Sequence, residues 1–334
     1  MPARAWSAVS LVVALLATGC GGGGDTGAET ASAIADAPTA DPADSTTTTA
    51  APATTAAAPA TVEAAPAESP YERIVVGDQA LLDAALALDL DVLGIPGFND
   101  RETIPAYLAD LAGEVEPIGD RNQVNLELLA AATPDLLVIN EKSVEASGVR
   151  DQLEQIAPLV EVDVTTATPW REALRLVADA AEVSDRADAV IAATDTFLAD
   201  ARDRLGADAL ATEVSVVRCF GQRCRYLPGG TSFSGQVLDE LGVARPARQA
   251  SDPEGRAFVD VSPEQYDLLG GDVIILFGTD ATDTLAELQA NPLWAALPAV
   301  QAGLVFEVDP APWFIGNVLA IRAIVDDIVE ILGS

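Results

Sequence analysis

The sequence predicts an α/β protein of two doubly wound lobes, joined by a single long helix and preceded by a disordered tether. Short apolar runs, such as residues 136–139 and 273–277, alternate with helical patterns, which indicates parallel α/β architecture. One helical pattern at residues 184–206 is roughly 30 Å long and separates two such series. Residues 21–70 contain no comparable pattern.

Residues 1–20 have the pattern of a bacterial signal peptide. Arg4 supplies a positive charge, and the apolar core at residues 8–17 is shorter than the ~20 residues that a membrane-spanning helix needs. The segment ends in Leu16-Ala17-Thr18-Gly19-Cys20, which resembles a lipobox although leucine is commoner at the place of Ala17. The alternative is an ordinary signal peptide that is cleaved nearby. We expect lipidation of Cys20, which would anchor the chain to the outer face of the cell membrane.

Residues 21–70 are mostly Ala, Thr, Pro, Gly and acidic residues, without a single Lys or Arg. Such a composition cannot bury an apolar face, so a disordered linker is predicted. A flexible coil of this length spans about 40 Å on average, which would let a folded body move near a membrane partner.

The N-terminal lobe is predicted at residues 71–183. Apolar and β-branched runs predict strands at residues 74–76, 92–94, 115–118, 136–139 and 159–162. Helices are predicted at residues 80–88, 126–131 and 170–181. Thr168 and Pro169 are expected to be the N-cap and first residue of the last one.

The interlobe helix is predicted at residues 184–206 and the C-terminal lobe at residues 207–334. Ser184 is expected to cap the helix, and Val190, Ala193, Phe197, Ala201 and Leu205 form one apolar face. In the lobe, strands are predicted at residues 214–219, 224–227, 257–261, 273–277 and 305–308. Helices are predicted at residues 236–241, 263–269 and from 315 to the C-terminus.

The composition excludes several classes of function. The chain has 18 Lys and Arg against 52 Asp and Glu, and its net charge of −34 disfavours nucleic-acid binding, which needs clustered basic residues. It contains no histidine and three cysteines, which excludes Ser-His-Asp catalysis and His-ligated zinc. No dinucleotide-binding or Walker-type glycine pattern is present. We therefore expect a binding protein rather than an enzyme, without a cofactor or a protein-bound metal.

Several motifs follow one another in a fixed order along residues 72–332. They are Asn125-Leu126-Glu127 with residues 132–139, residues 261–265 with residues 271–275, and residues 214–218 with Arg225-Tyr226 and residues 232–238. Each motif is weak alone, but together they resemble the ferric-siderophore and vitamin B12 binding proteins of ABC importers. The resemblance is closest to the Gram-positive iron-siderophore lipoproteins. It implies two lobes with little hinge motion, a ligand between them, and docking on an ABC permease. We expect a monomer.

Three of the 18 basic residues, Arg218, Arg223 and Arg225, fall within eight positions of a strongly acidic chain. A ferric siderophore surrounds its iron with its own oxygens, so the protein needs aromatic walls and charge-assisted donors, for which arginine is suited. We expect the arginines to bind the ligand, and surface ion pairs on a hairpin are the alternative. The flanking residues Phe220 and Tyr226 are expected to be aromatics of the ligand cleft, with plain packing as the alternative. Arg223 and Arg225 share a face only if no bulge intervenes.

Further ligand contacts are expected from aromatic and basic residues in loops. The resemblance implies that an aromatic at the place of Trp313 lines the pocket; packing against its own lobe is the alternative. From the first lobe, Phe98 is expected to contribute, and Arg101 and Arg121 are weaker candidates. Trp170 and Trp294 are interpreted as structural.

The resemblance also implies that one glutamate on each lobe, Glu127 and Glu264, meets arginines of the permease. Both residues begin predicted helices, where the helix dipole alone favours an acidic residue. Cys219 and Cys224 bracket a possible four-residue hairpin loop. A disulfide between them is expected outside the cytosol, and two reduced, buried thiols are the alternative.

Other functions remain open at this stage. A corrinoid or haem receptor on the same fold is the first alternative, although the lack of histidine makes haem ligation harder. A secreted α/β enzyme would have to rely on carboxylate chemistry alone, and a wall-tethered adhesin is a third possibility.

Overall fold

Short strands rich in valine, isoleucine and leucine form a six-stranded sheet between residues 74 and 162. The computed structural model describes residues 68–97, 104–113, 115–120, 123–278 and 281–333. The spatial strand order is β4-β3-β2-β1-β5-β6, and neighbours are parallel except for the antiparallel pair of β3 and β4. The strands are β1 Ile74–Val76, β2 Val92–Gly97, β3 Glu116–Asp120, β4 Gln123–Val124, β5 Leu136–Asn140 and β6 Leu159–Val162.

A second sheet of five strands follows in the C-terminal half, in the order β11-β10-β7-β8-β9. Strands β7, β10 and β11 are parallel, whereas β8 pairs antiparallel with both β7 and β9. The strands are β7 Val214–Phe220, β8 Arg223–Tyr226, β9 Val259–Val261, β10 Val273–Gly278 and β11 Val305–Glu307.

Helices connect the strands in both halves. The first half contains α1 Gln79–Ala87, α2 Ala109–Ala112, α3 Leu126–Ala132, α4 Glu141–Ser147, α5 Arg150–Ile156 and α6 Trp170–Ala180. After α7 Ser184–Leu210, the second half contains α8 Phe233–Leu241, a 3-10 helix Pro263–Leu269, α9 Ala281–Gln289, α10 Pro292–Ala295, α11 Pro298–Ala302, α12 Pro310–Phe314 and α13 Val318–Leu332. The predicted fold class is therefore confirmed.

Helix α7 lies between the two lobes and has 27 residues. It breaks at Gly206, whose φ of 75° is non-helical, so its regular part ends where the sequence predicts. Ser184 is the first helical residue rather than the cap, because Val183 occupies the cap and the Ser184 hydroxyl donates to Asp179 Oδ1 at 2.6 Å.

Two arginines attach α7 to both lobes. Arg186 Nη1 donates to the carbonyl oxygens of Leu88 and Asp89, both at 3.0 Å, at the C-terminal end of α1. Arg202 donates to the carbonyl oxygens of Glu240 and Leu241 at the C-terminal end of α8. Cations at helix C-termini satisfy unpaired carbonyls, so each arginine fixes one lobe to the connecting helix.

The largest hydrophobic cluster runs through both lobes. It contains Val138 from the first sheet, Leu198 from α7, and Val216 and Phe277 from the second sheet. Both sheets belong to one compact unit that begins at residue 65. The buried, fully packed side chains of Trp170 and Trp294 confirm their structural interpretation.

Several predictions concern residues outside the described ranges. These are the signal peptide with Cys20, most of the linker, and the ligand candidates Phe98, Arg101 and Arg121. Among the described residues, no helix is both long enough and apolar enough to cross a membrane.

Candidate ligand-binding site

The β7–β8 hairpin brings the three clustered arginines together. Arg218 pairs with Arg225, and Phe220 pairs with Arg223, in a register without a bulge. Because side chains alternate between the faces of a strand, these four residues share one face of the sheet. Arg218 and Phe220 lie at the carboxyl end of β7, where ligands of open α/β sheets commonly bind. The connecting loop is shorter than predicted, since Phe220 and Arg223 are themselves strand residues.

The opposite face of the hairpin is part of the protein core. Cys219 and Cys224 are paired across the strands and joined by a disulfide. Tyr226 pairs with Val217, and both belong to the second hydrophobic cluster. Of the two roles expected for Tyr226, the structure therefore shows packing, because strand alternation directs its ring away from the arginines.

Three phenylalanine rings surround the two inner arginines. The guanidinium carbon of Arg218 lies 3.6 Å from the ring centroid of Phe314 and 4.5 Å from that of Phe220. The guanidinium carbon of Arg225 lies 4.1 Å from the centroid of Phe258 and 5.9 Å from that of Phe220. Such cation–π contacts hold the planar groups in position. We call these five residues (Arg218, Phe220, Arg225, Phe258 and Phe314) the arginine–phenylalanine cluster.

The hairpin concentrates positively charged side chains in and beside the cluster. Arg225 forms an ion pair of 2.9 Å with Asp260, its neighbour on β9. The side chain of Arg225 is 16% exposed, whereas that of Asp260 is 70% exposed. Arg223 is exposed beside the pair. Three arginines therefore lie on one face of a single hairpin, in a chain with a net charge of −34.

Trp313 does not line this site. Its ring is fully buried in the main core, and its Nε1 donates to Asp327 Oδ2 at 2.7 Å on α13. Burial raises the pKa of Asp327, although the hydrogen bond from Trp313 lowers it. The expectation of a ligand contact at Trp313 is therefore corrected: the ring packs against its own lobe, and the adjacent Phe314 lies against Arg218.

Sequence reasoning missed two members of the cluster, Phe258 and Phe314. Phe258 precedes β9, and the pairing of β9 with β8 places it beside Arg225. A weak signal for Phe314 existed, since it follows Trp313 at the end of a strand-to-helix connection. Elsewhere, a depression of about 370 Å³ on the first lobe is lined by residues of α1, β2 and α2 and does not include the cluster.

Glu127 and Glu264 are both exposed in the first turns of their helices. Asn125 caps α3 by accepting hydrogen bonds from the backbone N–H groups of Glu127 and Leu128, both at 3.1 Å. Hydrogen bonds from its own backbone N–H and from Ser262 lower the pKa of Glu264. Glu264 therefore remains charged at neutral pH, and both side chains are accessible.

No group of three or more His, Cys, Asp and Glu side chains in the described parts of the chain is arranged to hold a metal ion. The charged groups of the arginine–phenylalanine cluster are hydrogen-bond donors, which suits the binding of an oxygen-rich anion rather than of a bare cation.

Comparison with solved structures identifies the fold. The structure of Staphylococcus aureus SirA complexed with staphyloferrin B matches with a TM-score of 0.68 at 24% identity, over 79% of this chain and 93% of that one. Bacillus subtilis FeuA complexed with ferri-bacillibactin matches with a TM-score of 0.64 at 20% identity, over 81% of this chain and 95% of that one. At these identities the similarity establishes the shared fold.

Sequence comparison identifies the family. The probable siderophore-binding lipoprotein YfiY of Bacillus subtilis is 31% identical over 269 residues, which are 77% of this chain and 81% of that protein. The Fe(3+)-citrate-binding protein YfmC of the same organism is 24% identical, over 72% of this chain and 74% of that protein. The family model described as periplasmic binding protein matches residues 74–312. The chain therefore belongs to the periplasmic binding protein family.

Proposed function

We propose that this protein is a lipid-anchored, extracytoplasmic receptor that binds a ferric siderophore and delivers it to an ABC importer. The observation that carries the proposal is the register pair of Arg218 and Arg225, which places two guanidinium groups side by side at the carboxyl end of β7. Both groups are stacked on phenylalanine rings.

The chemistry of the cluster fits a ferric complex with negatively charged oxygens at its surface. Arginine side chains next to aromatic rings offer planar sets of N–H donors, and such donors bind carboxylate or similar oxygens well. Apolar rings next to the arginines suit the organic part of such a complex. Because the siderophore supplies the iron ligands, the protein needs none of its own.

The relatives support the same class of ligand. Their names describe siderophore binding for YfiY and Fe(3+)-citrate binding for YfmC, and SirA was crystallised with staphyloferrin B. The donors of the arginine–phenylalanine cluster suit a complex with negatively charged oxygens. Family membership and the chemistry of the arginine–phenylalanine cluster together support the same ligand class for this protein.

Delivery requires contact with a permease, and we propose that Glu127 and Glu264 provide it, one on each lobe. Each is exposed in the first turn of a helix, in a position from which it can pair with a basic group of a partner. The acidic surface of the whole chain would also steer it toward a basic partner.

Anchoring is proposed at Cys20, with residues 21–70 as the tether. Two or more acyl chains hold a protein stably at a membrane, whereas a single acyl chain binds only reversibly. In cells that produce Cys20→Ala, we expect unlipidated protein in the culture medium. Retention of this variant at the membrane would contradict the anchor.

The ligand class is tested by titrating the full-length protein with ferric citrate, a ferric hydroxamate, a ferric catecholate, cobalamin and haem, and following tryptophan fluorescence. We expect saturable binding of at least one ferric complex, and weaker or no binding of cobalamin and haem. Tight binding of cobalamin or haem, with none of the ferric complexes bound, would overturn the proposed function.

A further inference from the structure

Two side chains of α1 reach from the first lobe to the beginning of the last helix. Asp83 is fully buried, and its carboxylate accepts hydrogen bonds from the backbone N–H groups of Asn317 at 2.9 Å, Leu319 at 2.8 Å and Ala320 at 2.9 Å. These groups form the start of α13, where a carboxylate satisfies unpaired N–H donors. Asp83 therefore fixes this helix end to the first lobe.

Gln79 lies one helical turn before Asp83 and holds the other side of the same segment. Its Nε2 donates to the carbonyl oxygens of Ala311 at 2.9 Å and Ile315 at 2.8 Å. Tyr107 connects the two side chains, since its hydroxyl donates to Asp83 Oδ2 at 3.0 Å and accepts from Gln79 at 3.1 Å. Residues four apart share one face of a helix, so one side of α1 binds the segment from residue 311 to residue 320 at five of its backbone groups.

The packing at Gly316 shows how closely this segment approaches. A Cβ atom at Gly316 would lie 2.2 Å from the Cβ of Ala320 and 3.3 Å from both Asp83 Oδ2 and the Tyr107 hydroxyl. No larger residue fits there without displacing the backbone. The position of the segment is therefore tightly determined.

Helix α12 ends within this segment, at Phe314. The ring centroid of Phe314 lies 3.6 Å from the guanidinium carbon of Arg218. Phe314 stands between Ala311 and Ile315, the two residues whose carbonyls Gln79 binds. We propose that Gln79, Asp83 and Tyr107 are positioning residues for ligand binding: they are first-lobe groups that hold Phe314 against Arg218. This inference rests on the proposed function.

The first test needs no ligand. The side-chain Nε–H signal of Arg218, assigned with the Arg218→Lys variant, reports the nearby Phe314 ring in an NMR spectrum of the free protein. In Tyr107→Phe, which removes one hydroxyl and keeps the ring, we expect this signal to shift and the amides of Leu319 and Ala320 to exchange faster. An unchanged Arg218 signal together with unchanged exchange would overturn the inference.

The second test measures affinity for ferric citrate. Loss of one hydrogen bond in Tyr107→Phe should weaken binding about three- to tenfold. In a Phe314→Leu background the same change should have no further effect, because Tyr107 acts through Phe314. Equal effects in both backgrounds would contradict the positioning role. If the parent protein does not bind ferric citrate, the same comparison is made with the ferric hydroxamate or catecholate that it binds. Binding of none of the three contradicts the proposed function, while the NMR result still decides whether Tyr107 positions Phe314.

Thr194→Val is the matched control for both tests. Thr194 is fully buried on α7, and its hydroxyl donates to the carbonyl oxygen of Val190 at 2.8 Å. The variant loses one buried hydrogen bond outside the segment, so its Arg218 signal and its affinity should equal those of the parent. If this control moves both readouts as much as Tyr107→Phe does, general destabilisation explains the effect and the inference fails.

Discussion

Arg218 and Arg225 lie directly opposite each other across the antiparallel pair of β7 and β8. Like charges in this position destabilise a sheet. The ion pair of Arg225 with Asp260 and the phenylalanine rings offset part of this repulsion. A bound ligand with negative oxygens would offset more of the repulsion between the two arginines. Ligand binding is therefore expected to stabilise the hairpin.

The first prediction concerns these two arginines. A hydrogen bond to a charged group contributes roughly 1.5–3 kcal/mol, so Arg218→Ala or Arg225→Ala should weaken ferric-complex binding about ten- to a hundredfold. The loss should be smaller at high salt, because salt screens charge interactions at a partly exposed site. Titration at two salt concentrations measures both effects.

Arg248→Ala is the control for this prediction. Arg248 is exposed on the same lobe and lies 3.8 Å from Asp267. The variant removes one positive charge without touching the cluster, so its affinity should remain at the parent value. If Arg218→Ala and Arg225→Ala both bind the ferric complex as tightly as the parent, these arginines do not contribute to ligand binding.

The second prediction concerns Trp313. Because the ring is buried and bonded to Asp327, Trp313→Phe should lower the free energy of unfolding by about 1–3 kcal/mol. The affinity for the ferric complex should change little. Binding of the ferric complex should still quench the tryptophan fluorescence of the variant, because Trp170 and Trp294 remain. Denaturant unfolding and fluorescence titration measure the two quantities. Loss of binding by a fully folded Trp313→Phe variant would show that Trp313 contributes to ligand binding.

The third prediction concerns the pH dependence of stability. Burial raises the pKa of Asp83 from 3.8 to about 6, although hydrogen bonds from Asn317, Leu319, Ala320 and Tyr107 lower it. The folded state therefore binds a proton more tightly than the unfolded state does. The stabilisation that protonation supplies is complete below about pH 4 and is lost as the pH rises through about 6.

Asp83→Asn should remove this dependence. Relative to the variant, the parent should lose up to about 3 kcal/mol of unfolding free energy between pH 4 and pH 7. Denaturant unfolding of both proteins across this range gives the difference, in which the titration of the other carboxylates cancels. A difference that is constant with pH would show that Asp83 does not titrate there.

The fourth prediction concerns docking. Glu127→Arg and Glu264→Arg should reduce uptake of the ferric siderophore by cells, because each places a positive charge opposite the proposed basic groups of the permease. Affinity in solution should not change, since neither residue belongs to the cluster. Glu141→Arg is the control, as Glu141 is also exposed in the first turn of a helix. Unimpaired uptake by the double variant would exclude docking through these glutamates.

The fifth prediction concerns the disulfide. Thiol titration of the denatured, unreduced protein should detect no reactive thiol at Cys219 or Cys224. The two cysteines are only five positions apart, so reduction should cost roughly 2 kcal/mol of stability or less. Two titratable thiols in exported protein would show that the hairpin functions in the reduced form.

Local patterns were sufficient to predict most of the fold. The β-branched runs at β5 and β10 and the long apolar periodicity of α7 depend on neighbours in sequence, so they could be recognised without a structure. The concentration of Arg218, Arg223 and Arg225 in one hairpin was equally visible. Strand alternation then predicts which of these side chains share a face, once the register is continuous.

The rest depended on contacts between residues far apart in sequence. Trp313 and Phe314 are adjacent aromatics, and consecutive helical residues point about 100° apart. Only the packing of α12 against Asp327 decides that Trp313 is buried and Phe314 meets Arg218. Asp83 lies 234 residues before Asn317, so no local pattern could relate them. The sequence by itself determined most strands, the long helices and the arginines of the candidate site, because these depend on local patterns, whereas tertiary packing decided which aromatic rings lie against the arginines.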